Sequence, residues 1–285
     1  MQRTNKLHSL PDFPAVTGYN AQLITAFCNT VSGTYLHMKL DDVKKLHQKK
    51  YRSQFGFYLV EGEHLIQELQ RSPLMAQTVT LYATESWLSR GIELDTRFDV
   101  VTLTDRQMAS LSDTKTPQGV IARVPLAAHA VAPENKTAGE RSIYLYEIQD
   151  PGNLGTILRS LAWFGGFRLL LSPNSVDPFN SKAVRASMGA IFHLPVETDV
   201  TLDNCQQRFT RFACLDLKGK AISDPQFNDF TCYLFGNEAR GIPEDALARA
   251  GAEAFTIPGN GQIESLNLAS AVGMCVYQLS LSNSL

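Results

Sequence analysis

Long apolar runs are missing from this chain of 285 residues. No stretch approaches the roughly 18 consecutive apolar positions a membrane span needs, so none is expected. Met1-Gln2-Arg3-Thr4-Asn5-Lys6 leads into no apolar run, so a secretory leader is not expected either. Paired cysteines are also missing. Cys28, Cys205, Cys214, Cys232 and Cys275 contain no C-x-x-C spacing, which argues against a zinc knuckle or a thioredoxin-type dithiol. Their odd count and scatter suit reduced thiols in a cytoplasm, and Cys214, Cys232 and Cys275 sit in apolar runs that read as core. The six histidines form no H-x-x-x-H pair, so no metal site is expected. No G-x-x-x-x-G-K-[ST] occurs and no G-x-G-x-x-G follows a first strand, which disfavours nucleoside triphosphate and dinucleotide chemistry. A basic excess is absent as well. The net charge of −2, taken as an average, speaks against a nucleic-acid partner.

What is present is enough apolar sequence for a large core. Hydrophobic residues make up 44% and charged residues 19%, which excludes wholesale disorder, and the length suits two domains. Residues 1–36 show weak periodicity and read as an extension of unknown role, with one short helix at 21–30. Residues 37–125 alternate helix and strand as a smaller α/β domain: a helix at 40–50, strands at 57–60, 78–82, 99–103 and 119–124, and a helix at 105–111 that Thr104 caps. Residues 126–140, rich in Ala with Pro133 and Gly139, read as a linker. Residues 141–285 alternate again. Strands at 142–148, 167–171, 191–196, 212–217, 232–235 and 254–257 are interleaved with helices at 153–164, 181–188, 202–209, 243–250 and 266–280. Apolar strands such as Tyr233-Leu234-Phe235 and Leu169-Leu170-Leu171 point to a mostly parallel α/β sheet covered on both faces.

In such a sheet, ligands bind beyond the carboxyl ends of the strands. Three segments stand there. Asp150-Pro151-Gly152-Asn153-Leu154-Gly155 opens a helix that Asn153 can cap, with Gly155 allowing close approach and Arg159 further along. Gly236-Asn237-Glu238-Ala239-Arg240-Gly241 forms a polar turn before Pro243. Ile257-Pro258-Gly259-Asn260-Gly261 leads through Glu264-Ser265-Leu266-Asn267 into a small-residue helix. Each segment alone reads equally well as an ordinary capped helix or solvated turn.

Together and in this order, N-L-G-T-I-L-R at 153–159, G-N-E-x-x-G at 236–241 and I-P…E-S-L-N-L-A at 257–269 resemble the three motifs of the SpoU (TrmH) family of RNA ribose 2′-O-methyltransferases. Residues 49–62 and 111–119 resemble the ribosomal-protein-like substrate-binding domain often attached to that family. Gly259 stands where the family usually carries methionine. The resemblance implies a C-terminal trefoil knot, a homodimer through the methyltransferase domain, S-adenosyl-L-methionine as methyl donor, and no metal. It implies donor contacts at Gly236, Ile257 and Leu266. Arg159 matches the arginine proposed to act on the ribose hydroxyl. Asn153, Glu238, Ser265 and Asn267 take orienting and pocket-shaping roles. RNA is implied over DNA because the acceptor is the 2′-hydroxyl, with ribosomal RNA favoured over transfer RNA.

Charge distribution changes the reading of the net value. Residues 39–52 hold six Lys and Arg against two Asp, whereas 126–285 hold 12 against 16 acidic residues. Lys44, Lys45, Lys49, Lys50 and Arg52 are therefore expected to grip RNA phosphates. Arg168, Arg185 and Arg240 are expected at the surface or on phosphates. Two further readings stand beside the first: a catalytically silent RNA-binding protein with the same fold, and a methyltransferase acting on a base.

Overall fold

The computed structural model describes residues 38–76, 78–129 and 139–281. The expected extension 1–36 with its helix, the residues 130–138 of the linker, and Cys28 lie outside the described residues. The first sheet is built from α1 (Leu40–Lys45), α2 (Lys49–Phe55), β1 (Phe57–Glu61), α3 (Glu63–Gln70), β2 (Val79–Thr84), α4 (Glu85–Leu88), β3 (Phe98–Leu103), α5 (Asp105–Leu111) and β4 (Val120–Pro125). Its four strands run in the order β1-β4-β2-β3; only β2 and β3 pair parallel. The expected helix over 40–50 is broken in two, since Gln48 is extended (ψ 133°) and starts the second helix. Thr104 caps α5 as expected, within a reciprocal capping box with Gln107.

The second sheet contains β5 (Arg141–Leu145), α6 (Pro151–Phe164), β6 (Phe167–Leu171), α7 (Ser181–Ser187), β7 (Val196–Glu197), α8 (Leu202–Arg208), β8 (Phe212–Ala221), β9 (Cys232–Phe235), α9 (Glu244–Ala250), β10 (Glu253–Thr256) and α10 (Leu268–Leu281). Its six strands lie in the order β10-β8-β9-β5-β6-β7, and every pairing is parallel. All residues of β5, β6 and β9 except Arg141 are buried, as a sheet covered on both faces requires. The strand expected over 191–196 is instead a 3-10 turn, Ala190–Phe192, followed by the two-residue β7. The described cysteines are all buried, and burial pushes Cys214 up to about 11 and Cys275 up to about 12.

Two expected surface arginines are interior. Arg168, in β6, is fully buried; its Nε and Nη1 each lie 3.0 Å from a carboxylate, Glu140 and Glu197. Arg208 closes the other side of Glu197 at 2.8 and 2.9 Å. A charge held in an apolar strand must be paired, and these carboxylates do so. Arg52, assigned above to RNA, is 2% exposed and donates to Asp177 from Nε (2.9 Å) and to the Leu46 and His47 carbonyls from Nη1 (2.8 and 2.9 Å). Its donors are spent inside the protein, so it is withdrawn from the phosphate-binding set.

The Arg52–Asp177 pair ties the two sheets together. Beside it, the Tyr58 hydroxyl and His129 Nε2 share a hydrogen bond of 2.8 Å, with the Phe179 ring 5.0 and 4.9 Å from the two rings. Burial pushes the His129 imidazole down to about 3. The unfolded chain thus binds a proton below about pH 6.5 that the folded chain refuses until about pH 3. Stability should therefore fall as pH drops through that window, by up to about 1.4 kcal/mol per unit from this group. His129→Phe should flatten that slope in urea titrations at pH 7, 6 and 5; an unchanged difference between pH 7 and 5 would count against it.

Candidate active site

The three motif segments converge at the carboxyl ends of β5 and β9. Asp150, not Asn153, caps α6: its Oδ1 accepts from the Asn153 N–H at 2.6 Å, with Pro151 in the first turn. Leu154, Ile157, Leu158 and Leu161 bury one stripe of α6, which turns Thr156, Arg159 and Trp163 outward. Gly155 lies on the buried side. A Cβ there would stand 2.3 Å from Ala186 Cβ, so the backbones of α6 and the segment ending α7 meet directly.

Capping by Asp150 releases the Asn153 side chain for other work. Its Nδ2 donates to Glu238 Oε1 at 3.2 Å, and its Oδ1 accepts from Asn267 Nδ2 at 3.0 Å. Asn267 Oδ1 accepts from the Ala269 and Ser270 N–H groups, so Asn267 caps α10. Glu238, Asn153 and Asn267 form one continuous chain across three loops. Because both ends of the Asn153 amide are used, its orientation is set.

The turn carrying Glu238 is held closed. Asn237 and Gly241 exchange backbone hydrogen bonds of 3.2 and 2.9 Å, and a Cβ on Gly236 would stand 2.6 Å from Gly241. Only glycine at 236 permits that closure. The sequence reading missed Asn237, whose Oδ1 accepts from the Ala239 and Arg240 N–H groups. It also missed Glu147, which pairs with Arg240 at 2.7 Å. Arg185 lies 3.8 Å from Asp113 of the first sheet.

Other expected site residues stand apart from this chain of contacts. Arg159 is exposed on α6 and has no partner among the described residues. Ser265 and Leu266 are exposed, and Ile257 is half-buried against the core. Between Ile257 and Leu266, one internal hydrogen bond forms among the described residues, from the Gln262 N–H to Asn260 Oδ1 at 3.1 Å. Residues 258–266 are exposed, and Cβ atoms on Gly259 or Gly261 would meet nothing within 4 Å. Such a strand-end loop, beside the closed turn at Gly236, fits a small polar ligand held through main-chain groups. Lys44, Lys45, Lys49 and Lys50 are exposed together on α1 and α2, with Lys45 paired to Asp42 at 2.8 Å. Among the described residues, no group of three or more His, Cys, Asp or Glu side chains is placed to hold a metal ion, and no helix is long and apolar enough to cross a membrane.

Comparison with known proteins agrees with this arrangement. Residues 140–277 match the model of the SpoU rRNA Methylase family, and residues 38–122 match that of the MRM3-like substrate binding domain. The chain is 32% identical to the 23S rRNA (guanosine(2553)-2′-O)-methyltransferase RlmP of Bacillus subtilis, over 85% of this chain and 96% of that one. An rRNA methyltransferase structure from Sinorhizobium meliloti is 25% identical with a TM-score of 0.69, covering 86% of this chain and 95% of the other. The SpoU methyltransferase AviRb of Streptomyces viridochromogenes, in complex with AdoMet, shares the fold with a TM-score of 0.73 at 21% identity, covering 87% and 98%. With its motifs gathered at the carboxyl ends of the strands and a relative matched over nearly its whole length, the chain belongs to the SpoU rRNA methylase family.

Proposed function

We propose that this protein transfers the methyl group of S-adenosyl-L-methionine to a ribose 2′-hydroxyl of structured ribosomal RNA. The observation that carries this reading is the Glu238–Asn153–Asn267 chain, which joins all three motif loops at the strand ends. The 2′-O activity on rRNA printed for the Bacillus subtilis relative supports it. When bound, the donor supplies a sulfonium methyl already attached to its leaving group. The protein's task is then mostly positioning.

Gly236, Ile257 and Leu266 would hold the donor through main-chain groups of their loops. Asn153, fixed at both ends of its amide, orients the acceptor side. Arg159 presents its guanidinium to RNA phosphate and to the alkoxide that develops on the ribose. A guanidinium with a pKa above about 12 is a poor base, so orientation and charge stabilisation are its roles. Lys44, Lys45, Lys49 and Lys50 bind phosphates of the same RNA.

A second copy of the chain completes the site. Trp163 (85% exposed), Met274, Tyr277 and Leu281 form an outward apolar face on α6 and α10, where the Phe164 and Tyr277 rings lie 5.9 Å apart. Arg159 is one turn from Trp163, so a copy docked on this face meets Arg159. The chain after β9 is read as a trefoil knot on the family resemblance; β10 at the sheet edge and α10 packed on α6 are compatible with it. A crystal structure tracing α10 without threading would overturn the knot.

The function is tested with methyl-labelled donor and ribosomal RNA from cells lacking the gene. Labelled 2′-O-methylnucleosides after digestion are expected, from a protein that sediments as a dimer. Label on a base, or donor binding with no transfer, would favour the alternatives, and a monomer would remove the second copy.

A further inference from the structure

Glu147 lies just past β5 and is the point where three strand ends meet. Its backbone is left-handed, with φ 49°, a region a non-glycine residue seldom occupies. Such a conformation persists only where the surroundings over-determine it, and here they do. The Glu147 N–H donates to Ser172 Oγ at 2.7 Å, beyond the end of β6. Its carbonyl accepts from Asn237 Nδ2 at 2.8 Å and from Gln149 Nε2 at 3.0 Å. Its carboxylate accepts from Arg240 Nη2 at 2.7 Å, and Asn174 Nδ2 stands 3.5 Å from the other oxygen.

Both Asn237 and Arg240 belong to the turn that carries Glu238. Asn237 links the two attachments again, through its bond to the Arg240 N–H at 3.2 Å. An ion pair with an arginine this exposed adds little to global stability. Its consequence is local: two grips, one on each side of Glu238, both from one strained residue.

We propose that Glu147 is a positioning residue that presets the 237–241 turn, and through it the Glu238 carboxylate that holds Asn153. The kinetic arm of the test rests on the methyltransferase reading above; the structural arm does not. Glu147→Gly accepts the left-handed backbone without strain and keeps the backbone contacts, while deleting the carboxylate. Its Tm is expected to equal or exceed that of the wild type.

Amide hydrogen exchange at 238–241 should quicken by about tenfold, the size expected for loss of one coupled contact. kcat should fall about five- to tenfold with KM for the donor within about twofold. Glu147→Gln, which keeps an acceptor for Arg240, should recover part of both effects. Arg240→Ala should reproduce them, and the double variant with Glu147→Gly should add little more. Unchanged exchange at 238–241 in Glu147→Gly overturns the proposal whatever the kinetics. Quickened exchange with unchanged kcat overturns the link to Glu238. A wild-type protein that methylates no RNA removes the methyltransferase reading instead, and the exchange measurements still decide on Glu147.

Discussion

Arg159→Ala is expected to lower kcat for methyl transfer roughly 100-fold or more, with Tm and donor affinity close to wild type. The large effect follows from its role. A donor that meets developing oxyanion charge is typically worth about 10²–10³ in kcat when removed. The small structural effect follows from its place, since Arg159 is exposed on α6 without a partner among the described residues. Surface changes of that kind usually fall within about 0.5 kcal/mol. Arg159→Lys separates charge from shape, because it keeps the positive charge and loses the planar fork. An intermediate rate is expected. A lysine variant at the wild-type rate would remove bidentate orientation, and an alanine variant at that rate would remove Arg159 from the chemistry.

Arg52→Ala is expected to be strongly destabilising. Removing the guanidinium strands the Asp177 carboxylate, whose side chain is only 7% exposed. Breaking one side of a buried ion pair typically costs about 3–5 kcal/mol. Replacing both partners, as Arg52→Met with Asp177→Leu, should cost less, because no lone charge remains inside. Urea unfolding of the three proteins checks this. A single variant within about 1 kcal/mol of wild type would mean that water reaches Asp177.

The two arginines show where reading residues in order stops. Lys49-Lys50-Tyr51-Arg52 has one sign of charge throughout, and nothing local distinguishes Arg52 from its neighbours. Its partner is Asp177, 125 positions later, in a loop of the other sheet. Arg168 stands in an apolar strand, which signals burial, but its carboxylates come from Glu140 and Glu197 on other segments. The parallel sheet was legible because β5, β6 and β9 are mostly apolar, and β5 and β9 each lead into a polar glycine-containing segment. Asn153, Glu238 and Asn267 were named as site candidates through the family resemblance. Their hydrogen-bonded order was not, since it depends on Asp150 taking over the helix cap. Glu147 carried no recognised signal in the sequence: its left-handed backbone is held by Ser172 and Asn237 from other strand ends as well as by the nearby Gln149.

The clasp between the sheets has a consequence for what the protein can measure. One short segment supplies both Asp177, which grips Arg52, and Phe179, which stacks on Tyr58 and His129. These contacts fasten the segment that carries α2 and its exposed lysines to the sheet that carries Asn153, like the jaws of a caliper joined at one pin. On the proposed roles of these lysines and Asn153, a folded RNA that presents phosphate and ribose at a matching span is expected to fit without adjustment. A flexible strand of the same sequence must first be drawn into shape.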